Sequence, residues 1–344
     1  MLWIRADGGK DVGAGHLMRC LTISNAYVKL AGNRGKTCFI CADSESAQIP
    51  ISSGRDVKIL NTDLKDMESE LKLLEELIDK DDTLLVDSYY VTQRYMKRLS
   101  GLCHVVYMDD LADECYRADA VINYNAYAKE LPYGELYKGT KTEFLLGGEY
   151  APVREQFTDT VYVQRDDIKR ILITAGGGDT GDVAERIYDR IYEKYEDGII
   201  VDIVSGRYSE GGGLSKKAQT RDTLNIWHNV RDMAALMTKC DAAITAGGST
   251  VYELMTLGVP FICFSCAYHQ ERNTEYIGRE GIAYNAGMYH RDPNAVLKRI
   301  EEYLEELIHN RTIRGVMSAN EKKRIDGKGA SRIAEYILKY ESRT

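Results

Sequence analysis

The order in which apolar runs and amphipathic stretches follow one another confines this chain to very few folds. Strands are expected at Leu2–Ile4, Thr37–Ala42, Val57–Leu60, Thr83–Asp87, Cys103–Met108 and Ala120–Asn123. Between them lie helical patterns at about His16–Ala31 and Glu68–Ile78, the latter with Leu71, Leu74 and Ile78 on one side. The pattern breaks after Gly147-Gly148 and Pro152 and then restarts at Arg170-Ile-Leu-Ile-Thr174. Further strands follow at Ile199–Val204, Ala242–Thr245 and Pro260–Phe264, with helices at Val183–Tyr195, Met233–Lys239, Thr250–Leu257 and Arg272–Glu280 and three more at the end. Alternation of this kind implies a parallel sheet with helices on both faces, here built twice. The expected architecture is α/β, two Rossmann-like parallel-sheet domains facing a cleft. Residues 1–153 form the first, 154–167 a linker, 168–326 the second, and 327–344 a closing helix.

At 344 residues the chain has room for two cores. Its formal net charge of -8 argues against nucleic-acid binding, which needs a basic face. With neither a signal-peptide pattern nor a long apolar run, it is expected in the cytoplasm without stable membrane association. Cys38-x-x-Cys41 and Cys263-x-x-Cys266 have redox or zinc spacing, yet both lie in β-branched, aromatic runs. Buried free thiols are therefore expected, with no metal and no disulfide. Nothing in the sequence sets the oligomeric state.

In such sheets ligands sit at the carboxyl ends of strands, so the loops there carry the functional candidates. The first is glycine-rich, with Gly8, Gly9, Gly13 and Gly15, and it delivers His16 to a helix start. Glycines let the backbone approach a ligand, and the positive field of a helix start disfavours the imidazolium, which suits a proton acceptor. A tight turn with an exposed first-turn histidine accounts for the same residues. In the second half, Gly247-Gly-Ser-Thr-Val-Tyr-Glu253 joins a strand to a helix. Gly248, Ser249 and Thr250 suit a diphosphate, and Glu253 suits both hydroxyls of a ribose. Thr250-x-x-Glu253 is equally a capping box. The loop Ser265–Glu271 offers His269 and Gln270 to a sugar, or merely caps the following helix. Tyr89, just after a strand, is either packing or part of the site. Asp7 is placed to hold the glycine loop or His16, and Asp109-Asp110 to order the same region.

Taken in order, Ile4-Arg-Ala-Asp7, Gly13-x-Gly-His-x-x-Arg19, Asp87-Ser-Tyr89, Asp109-Asp110, Asn123-Tyr-Asn-Ala-Tyr-Ala-Lys129, Arg154-Glu-Gln-Phe157, Gly176-Gly-x-Asp179 and Gly248-Ser-Thr-x-x-Glu253 resemble one family. It is the nucleotide-sugar hydrolases of pseudaminic acid biosynthesis, which act on UDP-2,4-diacetamido-2,4,6-trideoxy-β-L-altropyranose. The spore-coat polysaccharide biosynthesis proteins are closely similar. The resemblance runs from Met1 to about residue 285. It implies the GT-B fold and kinship with the glycosyltransferase that adds N-acetylglucosamine to the peptidoglycan lipid precursor. By that resemblance His16 matches the catalytic histidine, Tyr89 an active-site tyrosine, and Gly248–Glu253 the UDP-binding helix start. Asn229-Val230 falls where the backbone contacts uracil. Gly13, Gly15, Gly177, Asp179 and Gln270 fall in the loops expected to face the substrate, and His269 stands where some of these hydrolases have Asn.

The implied reaction is attack of water on the anomeric carbon of a UDP-sugar, releasing UDP and free sugar. A nucleoside diphosphate leaves far more readily than an alcohol, so one base and an anion cradle suffice in place of the two carboxylates of ordinary glycosidases. No cofactor is expected. A glycosyltransferase using the same donor with an alcohol acceptor, and a non-catalytic nucleotide-sugar-binding protein, are the alternatives.

Overall fold

A computed structural model describes residues 1–9, 12–176, 182–205 and 213–341. The chain divides into two compact units, Met1–Val153 with Lys328–Thr344 and Arg154–Gly327. Among the described residues no helix is long and apolar enough to cross a membrane.

Unit one is a seven-stranded sheet of β1 (Leu2–Ala6), β2 (Thr37–Cys41), β3 (Asp56–Ile59), β4 (Thr83–Asp87), β5 (His104–Met108), β6 (Ala120–Asn123) and β7 (Glu143–Leu146). Every pairing is parallel, in the order β3-β2-β1-β4-β5-β6-β7. β1, β2, β4, β5 and β6 are buried along their whole length, which is why they read as unbroken apolar runs. The edge strands β3 and β7 are largely exposed. The helix Gly329–Glu341 packs in this unit against the helix Gly15–Ala31, where the Tyr27 hydroxyl donates to the Glu341 carboxylate at 2.8 Å.

Unit two has six parallel strands, β8 (Arg170–Thr174), β9 (Ile200–Ser205), β10 (Leu224–His228), β11 (Ala242–Ala246), β12 (Phe261–Ser265) and β13 (Tyr284–Met288), in the order β10-β9-β8-β11-β12-β13. Its core runs from Ile171, Ile173 and Ile203 through Ile244, Ile262 and Phe264 to Leu297 and Leu304.

Several elements differ from the sequence reading. β7, β10 and β13 were not expected, and neither was the helix Ser44–Ser52, which Asp43 caps by accepting the Ser46 N–H at 2.7 Å. The expected helix over Glu68–Ile78 is a 3₁₀ turn, Met67–Glu70, followed by an α-helix, Leu71–Leu77. All eight cysteines are free thiols; Cys38 and Cys41 are buried in β2, three residues apart on a strand and so on opposite faces.

Candidate active site

Each sheet reverses its strand order once, and at such a reversal the loops leaving two neighbouring strands diverge and open a crevice at their carboxyl ends. In unit one the reversal lies between β1 and β4. The glycine loop leaves β1 and Asp87-Ser-Tyr89 leaves β4, so the fold brings His16 to Asp87 across 71 residues of sequence.

His16 is buried, and its Nδ1 lies 2.5 Å from Asp87 Oδ1. Because a carboxylate only accepts, Nδ1 carries the proton in this bond. Nε2 is then the basic nitrogen, with no partner among the described residues. Tyr89 stands edge-on to the imidazole, with ring centroids 4.7 Å apart, and its hydroxyl donates to Asp110 Oδ2 at 3.0 Å. Burial and then the Asp110 carboxylate push this phenol well above its ordinary range, so it stays protonated.

Arg19 joins the cluster together. It lies one helical turn beyond His16 on the same face. Its Nε and Nη2 each donate to Asp87 at 2.6 Å, and Nη1 donates to Asp110 at 2.8 Å and to the Tyr124 hydroxyl at 2.9 Å. Burial alone would raise the Asp87 carboxyl, but Arg19 and His16 hold it well below the usual carboxylate range. Asp87 is thus a fixed anion that orients the imidazole, not a proton acceptor. The sequence reading gave Arg19 and Asp87 no roles; the His16-x-x-Arg19 spacing was the available signal.

Asp7 does neither thing expected of it. Its Oδ1 accepts the Ala42 N–H at 2.8 Å, and its Oδ2 is bound by buried Arg5, which also pairs with Glu70 at 2.7 Å. This network ties the end of β1 to β2 and to the Met67–Glu70 turn, and no bond joins it to His16. Asp109 folds its own turn, accepting the N–H groups of Leu111 and Ala112 at 2.9 and 3.1 Å. Among the described residues no cluster has the makings of a metal site.

The glycine loop closes on itself through Gly9 and Gly13, whose N–H and carbonyl groups pair at 3.1 and 2.7 Å. Gly13 needs its glycine for a φ of +79°, whereas Gly15 has an ordinary φ and open space where a Cβ would stand. Gly15→Ala is therefore expected to leave the melting temperature unchanged or slightly higher, since alanine favours a helix. If the space beside His16 receives substrate, the same variant loses kcat/KM. Gly177 and Asp179 lie outside the described residues.

In unit two the reversal lies between β8 and β11, and Gly247-Gly-Ser-Thr250 leaves β11 there. Ser249 precedes the helix Thr250–Leu257 without a side-chain cap, and the first N–H groups of any helix lack intrahelical partners. The capping box is not formed. Glu253 Oε1 instead accepts from Arg154 Nη2 at 2.8 Å and Nε at 3.1 Å, a partnership the sequence reading missed. Burial pushes the Glu253 carboxyl up and Arg154 opposes that push. Gly247 admits no side chain, because a Cβ would stand 2.3 Å from Thr274 Cγ2 and the Thr274 hydroxyl is held by Ser265 at 2.7 Å. Gly247→Ala should cost about 1–3 kcal/mol by overpacking, read as a lowered melting temperature.

Gln270 Oε1 accepts the Cys266 N–H at 2.9 Å, and its Nε2 lies 4.0 Å from where a Cβ on Gly248 would be. The loop after β12 thus faces the Gly248 loop. His269 is exposed in the 3₁₀ turn Tyr268–Gln270. Asn229, at a left-handed φ of +51°, and Val230 follow β10 at the far edge of the same carboxyl face.

The chain also superposes on solved structures of glycosyltransferases and of a sugar-nucleotide epimerase. MurG of Acinetobacter baumannii superposes with a TM-score of 0.68 at 16% identity over 98% of this chain and 99% of that one. The chain has the GT-B fold. Another GT-B neighbour, the UDP-GlcNAc 2-epimerase of Neisseria meningitidis solved with UDP-GlcNAc, gives 0.64 at 15% identity over 98% and 100%. Residues 207–335 match the glycosyltransferase family 28 C-terminal domain. Over the whole GT-B chain, the spore coat polysaccharide biosynthesis protein SpsG of Bacillus subtilis is 22% identical across 97% of this chain and 96% of that protein. An uncharacterized protein of Methanocaldococcus jannaschii is 24% identical across 75% of this chain, a match that spans only 54% of the archaeal protein.

Proposed function

We propose that this GT-B protein is a UDP-sugar hydrolase. It cleaves the anomeric C–O bond of a UDP-linked diacetamido-trideoxy sugar to UDP and free sugar, serving pseudaminic-type nonulosonic acid or surface polysaccharide biosynthesis in the cytoplasm. The observation that carries the reading is the His16–Asp87 pair. A buried imidazole with Nδ1 fixed on an anion offers Nε2 as a base for water, the arrangement that generates nucleophiles in other hydrolases. Tyr89, beside the ring and still protonated, donates hydrogen bonds. The leaving diphosphate is stabilised by the N–H groups of Ser249 and Thr250, and Glu253 accepts from the ribose. UDP-GlcNAc bound to a neighbour of the same fold and the SpsG likeness support a UDP-sugar donor and a polysaccharide setting.

The family 28 C-terminal match favours a second reading, transfer of the same sugar to an alcohol. Incubation with a panel of UDP-sugars separates these readings. UDP and free sugar without acceptor support hydrolysis; release only with an acceptor means transfer; binding without turnover means neither.

A further inference from the structure

We propose that Arg154 is a positioning residue for nucleotide recognition: it holds one oxygen of Glu253 so that the other is presented to the ribose hydroxyls. The proposal rests on the nucleotide reading above, and three observations build it.

First, the guanidinium spends both of its contacts on one atom. Nε and Nη2 donate to Oε1 at 3.1 and 2.8 Å, and Oε2 has no partner among the described residues. Second, Arg154 is itself fixed. Its Cζ lies 5.1 Å from the ring centroid of Phe157, which is buried, and the turn between them is closed by the Phe157 N–H to the Arg154 carbonyl at 3.0 Å. The side chains of Arg154 and Glu253 are 29% and 16% exposed, so a ligand can reach them while solvent screening is limited.

Third, Glu253 lies in the first helical turn, where its carboxylate could bend back onto the N–H groups of its own helix. Arg154 draws it away. That leaves those N–H groups for an anion and the carboxylate for a sugar. Burial raises the Glu253 carboxyl, and Arg154 opposes part of that push toward the neutral acid.

Calorimetric titration of the full chain with UDP and with 2′-deoxy-UDP tests this. The unaltered protein should prefer UDP by about tenfold or more, the value of a hydrogen bond to a charged group. Arg154→Ala should lose about that factor for UDP and bind both nucleotides alike. Glu253→Ala should do the same, and the double variant should add nothing. Arg154→Lys, which keeps the charge, should retain part of the preference and provides the comparison if the alanine variant does not fold. An Arg154→Ala protein that still prefers UDP overturns the proposal, whether its affinities are unchanged, as for a purely structural arginine, or fall equally, as for a phosphate ligand. If the unaltered protein binds no UDP, the nucleotide reading itself fails and this proposal with it.

Discussion

Substitution of His16 by alanine is expected to lower kcat for the UDP-sugar by about 10²–10⁴-fold, the usual contribution of a positioned base, while leaving UDP affinity nearly unchanged. Binding should survive because the diphosphate and ribose contacts are assigned to Ser249, Thr250 and Glu253, not to the β1 loop. Removing a buried imidazole also leaves a small cavity and frees one lone pair of Asp87, whose charge stays neutralised by Arg19 at 2.6 Å. Structural loss should therefore be mild. Single-turnover kinetics and UDP titration on the same preparation check both halves of this expectation. Near-normal turnover removes His16 from the role of base.

Asp87→Asn should be nearly as damaging to turnover for a different reason, and more damaging to stability. An amide turned to donate toward Nδ1 drives the imidazole proton onto Nε2, so the base is present but blocked. In the serine-protease triad the equivalent exchange costs about 10⁴ in kcat, and a loss on that order is expected here. Asn also leaves the half-buried Arg19 with a single anionic partner, Asp110. Breaking one arm of a buried pair costs about 3 kcal/mol or more, or roughly 6–12 °C in melting temperature for a unit of this size.

The pH dependence has a definite sign. Asp87 is depressed in the folded state relative to an ordinary carboxyl, at about 3.9 when unfolded. Its stabilisation is complete above about pH 4 and is lost as pH falls below that, so the stability gap between the two proteins should narrow only under acid. A gap that closes already between pH 5 and 7 contradicts this assignment.

The interior of the fold was legible because β1, β4, β5, β8, β11 and β12 have partners on both sides, with helices over them, and this demands unbroken apolar runs. β7, β10 and β13 were invisible for the complementary reason. Each is an edge strand, with one neighbour and no need for such a run. Glu143-Phe-Leu-Leu is largely exposed, and Tyr284-Asn-Ala-Gly-Met carries a glycine and an asparagine that propensity disfavours. The helix at Ser44–Ser52 was masked by Pro50.

At the site the loops could be read locally, but the partnerships could not. Asp7 was the acid expected beside His16, whereas the acid that meets it is Asp87, brought alongside by the pairing of β1 with β4. Glu253 was matched to the hydroxyl three residues before it, whereas its partner Arg154 is 99 residues away. Periodicity reports on neighbours along the chain; these two pairs depend on how strands are ordered.

Turnover in ¹⁸O-labelled water without any acceptor decides whether water attacks the sugar carbon of a UDP-sugar. UDP should be released without acceptor, with no label in its β-phosphate, because the bond broken is between carbon and oxygen. Label in that phosphate, or no UDP release until an alcohol acceptor is added, would contradict it.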